Sequence, residues 1–210
     1  SAFLGGASGA LTVAESKPAV LKVDGKTLPQ PVKSAGLGYV KTSKEGDGMR
    51  EFTAEKFSDG TSWGAVYAQS VMPVEDVEKA SAGLSVKRVF YKDGKRLDSV
   101  EGLKVGDRLT VRIVITADRD YDFVEVSDRR AANMEPTSQL SGYRNGCYVA
   151  TRDNMTCFFF DRLAKGRHTV EASYYIDRPG SYRSGLCTAQ CAYSPAFSAR
   201  DKAVEISSEE

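Results

Sequence analysis

The stretch NMTCFFFD, residues 154–161, sets three phenylalanines in a row, Phe158, Phe159 and Phe160. Burying each such side chain is worth roughly 1.5 to 3 kcal/mol, so the run calls for a core. In an extended strand Phe158 and Phe160 point to one face and Phe159 to the other. The segment is therefore expected to be a central strand covered on both faces. Residues 161–167 (DRLAKGR) follow, with a Lys165-Gly166 pair that suits a tight turn. A hairpin is expected there.

Working outward, the pattern stays extended. Leu109, Val111, Ile113 and Ile115 alternate with polar residues, as do Val170, Ala172, Tyr174 and Ile176. This period of two marks half-buried strands. Further strand signals fall at 84–91 (followed by the turn pair Asp93-Gly94), 121–126, 147–151, 157–160 and 186–193. About seven short strands without a helical crossover point to an all-β, immunoglobulin-like antiparallel sandwich. The interval 131–144 reads as a long irregular loop, a class that is usually functional or packed down.

The first third is a smaller β-rich unit. Leu11, Val13, Val20, Leu21 and Val23 lie in short apolar runs, and Asp24-Gly25 is a strong hairpin signal. Pro29 and Pro31 interrupt any ladder. An extended run resumes at 36–40, Phe52 and Phe57 suggest another strand, and 63–71 (WGAVYAQSV) is expected to be a buried one. Residues 74–83 read as a linker. The expected organisation is 1–10 as the tail of a preceding domain, 11–80 as the small β-rich unit and 81–210 as the sandwich. Lacking an initiator methionine and opening on SAFLGGASGAL, the chain reads as a piece of a longer or processed protein.

Composition narrows the partners. The 29 basic and 28 acidic side chains leave a net charge of +1, which argues against nucleic acid and anionic lipid. No apolar run approaches the roughly 18 residues of a membrane span. Four cysteines, Cys147, Cys157, Cys187 and Cys191, fall in the last third. In one strand Cys187 and Cys191 would stand about 13 Å apart, beyond the reach of a disulfide. Any bridge would run back to Cys147 or Cys157, and four buried free thiols are the other reading.

Catalytic patterns are lacking: there is no nucleophile elbow, P-loop, dinucleotide fingerprint or zinc motif. His168, the single histidine, sits beside a turn and reads as structural. Asp118, Asp120 and Asp122 alternate as calcium ligands can, yet Arg119 intervenes and surface ion pairing is the simpler expectation. Arg129 and Arg130, near Glu135, read the same way. Neither a cofactor nor a resident metal is expected.

Three motifs, SGYR at 141–144, FFFD at 158–161 and QCAYSPAF at 190–197, together with the succession 103–199 around them, resemble the C-terminal domain of bacterial alpha-2-macroglobulin-like proteins. LGY at 37–39 and WGAVYAQ at 63–69 are similar to the β-rich segment that precedes it. The resemblance implies a non-catalytic part of a secreted or periplasmic envelope protein, free or lipid-anchored, that traps proteases. Its implied partners are the upstream domains of the same polypeptide and, through the whole protein, a protease. The family's Cys-x-Glu-Gln thioester does not match Gln190-Cys191-Ala192-Tyr193, so thioester chemistry is not assigned here. In the family a cysteine recurs at the Cys191 position, and the additional three imply an oxidising compartment and at least one disulfide. The other class of function is a cell-surface module binding a protein or glycan through the 131–144 loop and the sandwich ends.

Overall fold

A computed structural model describes residues 19–29, 43, 45, 50–57, 64–67 and 69–210. The chain forms two compact units, Ser1–Ser70 and Val71–Glu210. In the first, β1 (Val20–Val23) and β2 (Lys26–Thr27) form the hairpin expected at Asp24-Gly25. Both turn residues take positive φ, +48° and +74°, as a two-residue turn matching strand twist requires. β3 (Phe52–Glu55) pairs on the other side of β1. Asp24 Oδ1 fastens the approach to β3 by accepting the Arg50 and Glu51 amides, each at 3.0 Å.

The buried strand expected at 63–71 is not found. Residues 64–67 and 69–71 are outside any strand and exposed. The described part of this unit buries a single hydrophobic residue, Val23, so it offers these side chains no core. Leu11, Val13, Pro31, the run 36–40 and Trp63 lie outside the described residues.

The second unit is all β, apart from one 3-10 turn at Val74–Asp76. Its strands are β4 (Ala80–Ala82), β5 (Leu84–Lys92), β6 (Lys95–Arg96), β7 (Leu103–Lys104), β8 (Arg108–Ala117) and β9 (Tyr121–Arg129). Then come β10 (Met134–Pro136), β11 (Gly142–Arg144), β12 (Cys147–Thr151), β13 (Met155–Leu163) and β14 (Gly166–Ile176). β15 (Gly180–Arg183), β16 (Cys187–Cys191), β17 (Ser198–Asp201) and β18 (Glu205–Glu209) complete it. The segment 74–83 thus carries β4 as well as the turn. The interval 131–144 is no irregular loop either, since β10 and β11 lie inside it and end the two edges of the large sheet.

That sheet has two arms: β10-β14-β8-β5, and β17-β16-β9-β13-β12-β11. They join through β4, which pairs along β17 but meets β5 only at Ala82 and Leu84. Gly83 makes the corner at φ +74°, and a Cβ there would lie 2.1 Å from the Tyr121 hydroxyl. The inner faces of the two arms form an immunoglobulin-like sandwich core. β8 contributes Leu109, Val111, Ile113 and Ile115, each fully buried, and β14 contributes Val170, Tyr174 and Ile176. From the other arm come Val124 and Val126 of β9, Phe158 and Phe160 of β13, and Ala189 of β16. A third sheet, β15-β18-β7, carries buried Ile206 and Leu103 into the same cluster.

β13 is an inner strand, between β9 and β12. Its two faces differ, though. Phe158 and Phe160 are 1% and 7% exposed, whereas Phe159 is half-buried. The hairpin expected after β13 does not form: β14 pairs with β8 and β10 of the opposite arm. Residues 164–165 therefore cross between arms, as residues 118–120 do between β8 and β9. Residues 164–165 do connect two strands, but turn residues do not specify which strand the chain meets next.

These asymmetries carry measurable consequences. Phe158→Ala is expected to cost about 3–5 kcal/mol in denaturant unfolding and Phe159→Ala less than half of that, because the second position already faces solvent. At the corner, Gly83→Ala is expected to cost roughly 1–3 kcal/mol, combining a left-handed backbone with a displaced Tyr121 ring.

Candidate functional site

The residues singled out in the sequence do not converge. Asp118 binds its neighbour Arg119 through both carboxylate oxygens and accepts the Tyr121 hydroxyl at 2.6 Å. Arg119 foremost, and then Tyr121, hold its carboxyl below the usual range. Asp120 accepts the Lys165 amide at 2.8 Å and the Arg162 guanidinium at 2.8 Å. It therefore ties the two arm-crossing turns together, and the Lys165 amide, followed by Arg162, lowers its pKa. These aspartates serve corner turns, and among the described residues no group of three His, Cys, Asp or Glu is placed to hold a metal. His168 Nε2 lies 2.7 Å from the Ala164 carbonyl, at the same turn. Arg130 donates to the carbonyls of Arg152 and Asp153 instead of pairing with Glu135.

All four cysteines are buried free thiols, and the register explains why the expected bridge is not made. Cys187 is opposite Asp128 and Cys157 opposite Ser127, on the two sides of β9. Two strand spacings, about 10 Å, separate them. Cys191 is opposite Val124, which is opposite Phe160, and Cys147 lies one strand further out, about 14 Å away. Cys157 is opposite Ala150, three residues along β12 from Cys147, or about 10 Å. A disulfide closes Cα separations up to about 7 Å.

What the sequence reading missed is a polar row inside the sandwich. Asp201, Cys187, Asp128 and Thr156 are consecutive partners across β17, β16, β9 and β13. All four are buried. From the opposite arm Arg88 of β5 reaches across to this row. Its Nη1 donates to Asp128 Oδ1 at 3.2 Å and to Ser184 Oγ at 3.0 Å. Nη2 donates to the carbonyls of Gly185 and Lys202. Both charged side chains of the Arg88–Asp128 pair are 2% exposed. The Tyr174 hydroxyl meets Thr156 Oγ1 at 2.8 Å, a second polar link between arms.

The electrostatics follow from placement. Burial pushes Asp128 up, against the pull of Arg88. Asp201 is also pushed up by burial, but the Arg88 amide and Lys79 overcome this and hold it below the ordinary value. Burial raises the Cys187 thiol well above its usual range, and the neighbouring Asp128 adds to the shift; such a thiol is unreactive. One signal could have exposed the row. Arg88 occupies the phase of Leu84 and Val86, and Asp128 that of Val124 and Val126, so both point inward by the period of two.

Two aromatic groups lie on the outside. Tyr143, Tyr148 and Phe159 are consecutive partners across β11, β12 and β13, with Tyr143 and Tyr148 edge to face at 5.3 Å. Phe123, at φ +54°, is turned outward against exposed Tyr193, ring centroids 5.2 Å apart. A bulky residue rarely adopts this φ. Here it accompanies a change of phase in two paired strands, from buried Val124 to buried Tyr121 in β9 and from Phe160 to Leu163 in β13.

The described second unit is thus an all-β sandwich cross-linked by buried polar contacts. Residues 83–196 match the family model of the bacterial alpha-2-macroglobulin MG10 domain. This is more than half of the chain, which belongs to that family. The fold is similar to that of trypsin-activated alpha-2-macroglobulin from Escherichia coli (TM-score 0.56, 17% identity, 64% of this chain and 11% of that one). It is similar to the Escherichia coli protein activated by porcine elastase (TM-score 0.59, 18% identity, 69% and 14%). The Salmonella protein reacted with methylamine is also alike (TM-score 0.55, 19% identity, 62% and 10%). The match thus spans about a tenth of the length of these structures. No match was found among curated proteins.

Two measurements check the site. Arg88→Ala, which strands a buried carboxylate, is expected to destabilise the chain by about 3–5 kcal/mol in denaturant unfolding. A thiol reagent is expected to label none of the four cysteines in the native chain and all four after denaturation without reductant; two labelled after denaturation would signify a bridge.

Proposed function

We infer that this chain is the non-catalytic C-terminal part of an alpha-2-macroglobulin-like protein of the bacterial envelope, serving interdomain packing while the whole molecule traps an attacking protease. The observation that carries the packing role is the apolar surface of the described first unit. Phe52, Phe57, Val66 and Tyr67 are exposed while Val23 is buried. Where such side chains lie side by side they mark a surface that meets a partner. Upstream domains of the same polypeptide are the natural cover, since the matched relatives are far longer. In this reading 1–10 is the tail of the preceding domain, 11–80 the small β-rich unit and 81–210 the terminal sandwich. The setting is secreted or periplasmic. Among the described residues no helix is long and apolar enough to cross a membrane.

Protease trapping belongs to the whole protein, and the trypsin and elastase named for the Escherichia coli relatives are the natural probes. The parent protein, incubated with trypsin, is expected to leave its activity on a small chromogenic peptide intact while suppressing digestion of a large protein substrate. Phe57→Ser with Tyr67→Ser in the parent is expected to weaken that protection at least several-fold. Unchanged digestion of the large substrate by the parent would overturn the trapping role. Tight binding of a surface glycan by residues 1–210 alone would instead favour a binding module.

A further inference from the structure

Of the two carboxylates in the inner polar row, one is well provided with donors and the other is not. Asp201 accepts the Arg88 amide at 2.7 Å and the Lys202 amide at 3.0 Å, and pairs with Lys79 Nζ at 3.0 Å. Asp128 receives one guanidinium N–H, at 3.2 Å, together with the Cys187 thiol. Arg88 spreads its remaining terminal donors over Ser184, Gly185 and Lys202, and its Nε has no acceptor among the described residues. A carboxylate stays ionised in a dry interior when several hydrogen bonds favour the charged form. Asp201 meets that condition and Asp128 does not.

The groups around Asp128 do not make up the deficit. β5 offers Arg88, which is shared among four acceptors. β16 offers Cys187, and β17 offers Asp201, whose like charge disfavours a second anion. Tyr174 of β14 faces it with its hydroxyl engaged by Thr156 of β13. Arg130, just beyond β9, contributes from the carbonyls of Arg152 and Asp153, to which its Nη2 is bonded.

We propose that Arg88 and Asp128 form a proton-operated latch between the two arms of the sandwich, in which Asp128 takes up a proton on acidification and gives up its ion pair with Arg88. The released Arg88 keeps the Ser184 hydroxyl and the Gly185 and Lys202 carbonyls, so the arms remain linked through neutral acceptors. Burial raising Asp128 accords with this. Because the folded form takes the proton before the unfolded chain does, this residue's contribution to stability grows as pH falls through its folded value towards the ordinary 3.8. Asp107, Asp118 and Asp201, all lowered in the fold, act in the opposite sense and lose their contribution at more acid pH.

The test follows the Asp128 carboxyl carbon by NMR through a pH titration of the 210-residue chain, with Asp128→Asn as assignment control and both proteins unfolded by denaturant across the same pH range. Asp128 is expected to titrate at higher pH than Asp107, Asp118 and Asp201. Relative to Asp128→Asn, the wild type should gain stability as pH falls, by tenfold in the unfolding constant for each unit that its titration lies above the ordinary value. Titration at or below the ordinary value, or wild type losing stability relative to the variant on acidification, would overturn the latch and make the pair a permanent ion bridge. Should Asp128→Asn fail to fold, the wild-type titration, assigned through bonds, decides alone.

Discussion

The Arg88 guanidinium joins the two arms of the sandwich through directional polar contacts. It leaves β5, crosses the core and meets Asp128 of β9, Ser184 beyond β15, and the carbonyls of Gly185 and Lys202. Asp201 meanwhile accepts the Arg88 main-chain N–H, substituting for a ladder partner where β4 has left β5 after a single pairing. Three separate stretches of chain, at 128, 184–185 and 201–202, are thus referred to one residue. Hydrophobic burial is non-directional; the apolar rows on either side hold the arms together, but this network sets how they align.

At the other end, alignment rests on the corners. Gly83 turns the ladder over, the Tyr121 hydroxyl sits where a Cβ would project, and Asp118 holds that hydroxyl. Asp120 binds the crossing after β8 to the crossing after β13. Phe197 packs on Tyr121 at 5.3 Å, beneath the Arg119 guanidinium. Two members of an acidic cluster that has the look of an ion site are corner fastenings: Asp118 is held by Arg119 and the Tyr121 hydroxyl, and Asp120 by the Lys165 amide and Arg162.

Membership of the bacterial alpha-2-macroglobulin family fits this division of labour. The described second unit is a β-domain in which Asp118, Asp120 and the Arg88–Asp128 pair are bonded internally, and its cysteines are buried thiols rather than bridges. Tyr143, Tyr148, Phe123 and Tyr193 are exposed on the second unit, as Phe52, Phe57, Val66 and Tyr67 are on the first.

The strands themselves were legible in the sequence, because alternation at 109–116 and 168–176 reflects a local geometry of period two that each segment carries alone. So were the Asp24-Gly25 and Asp93-Gly94 turns, the burial of Phe158 and Phe160, and the family, whose motifs are strings of residues. The strands inside 131–144 escaped, being three residues each and too short to show a period. Tertiary structure alone decided that the chain after β13 crosses to the other arm, that Phe159 faces outward, and that the cysteines stand beyond bridging distance. It also decided that Arg88, Asp128 and Asp201, far apart in sequence, meet in one buried cluster. Each of these depends on which strands become neighbours, and pairing between distant segments is settled by the free energy of the whole core, not by any property of the segments taken singly.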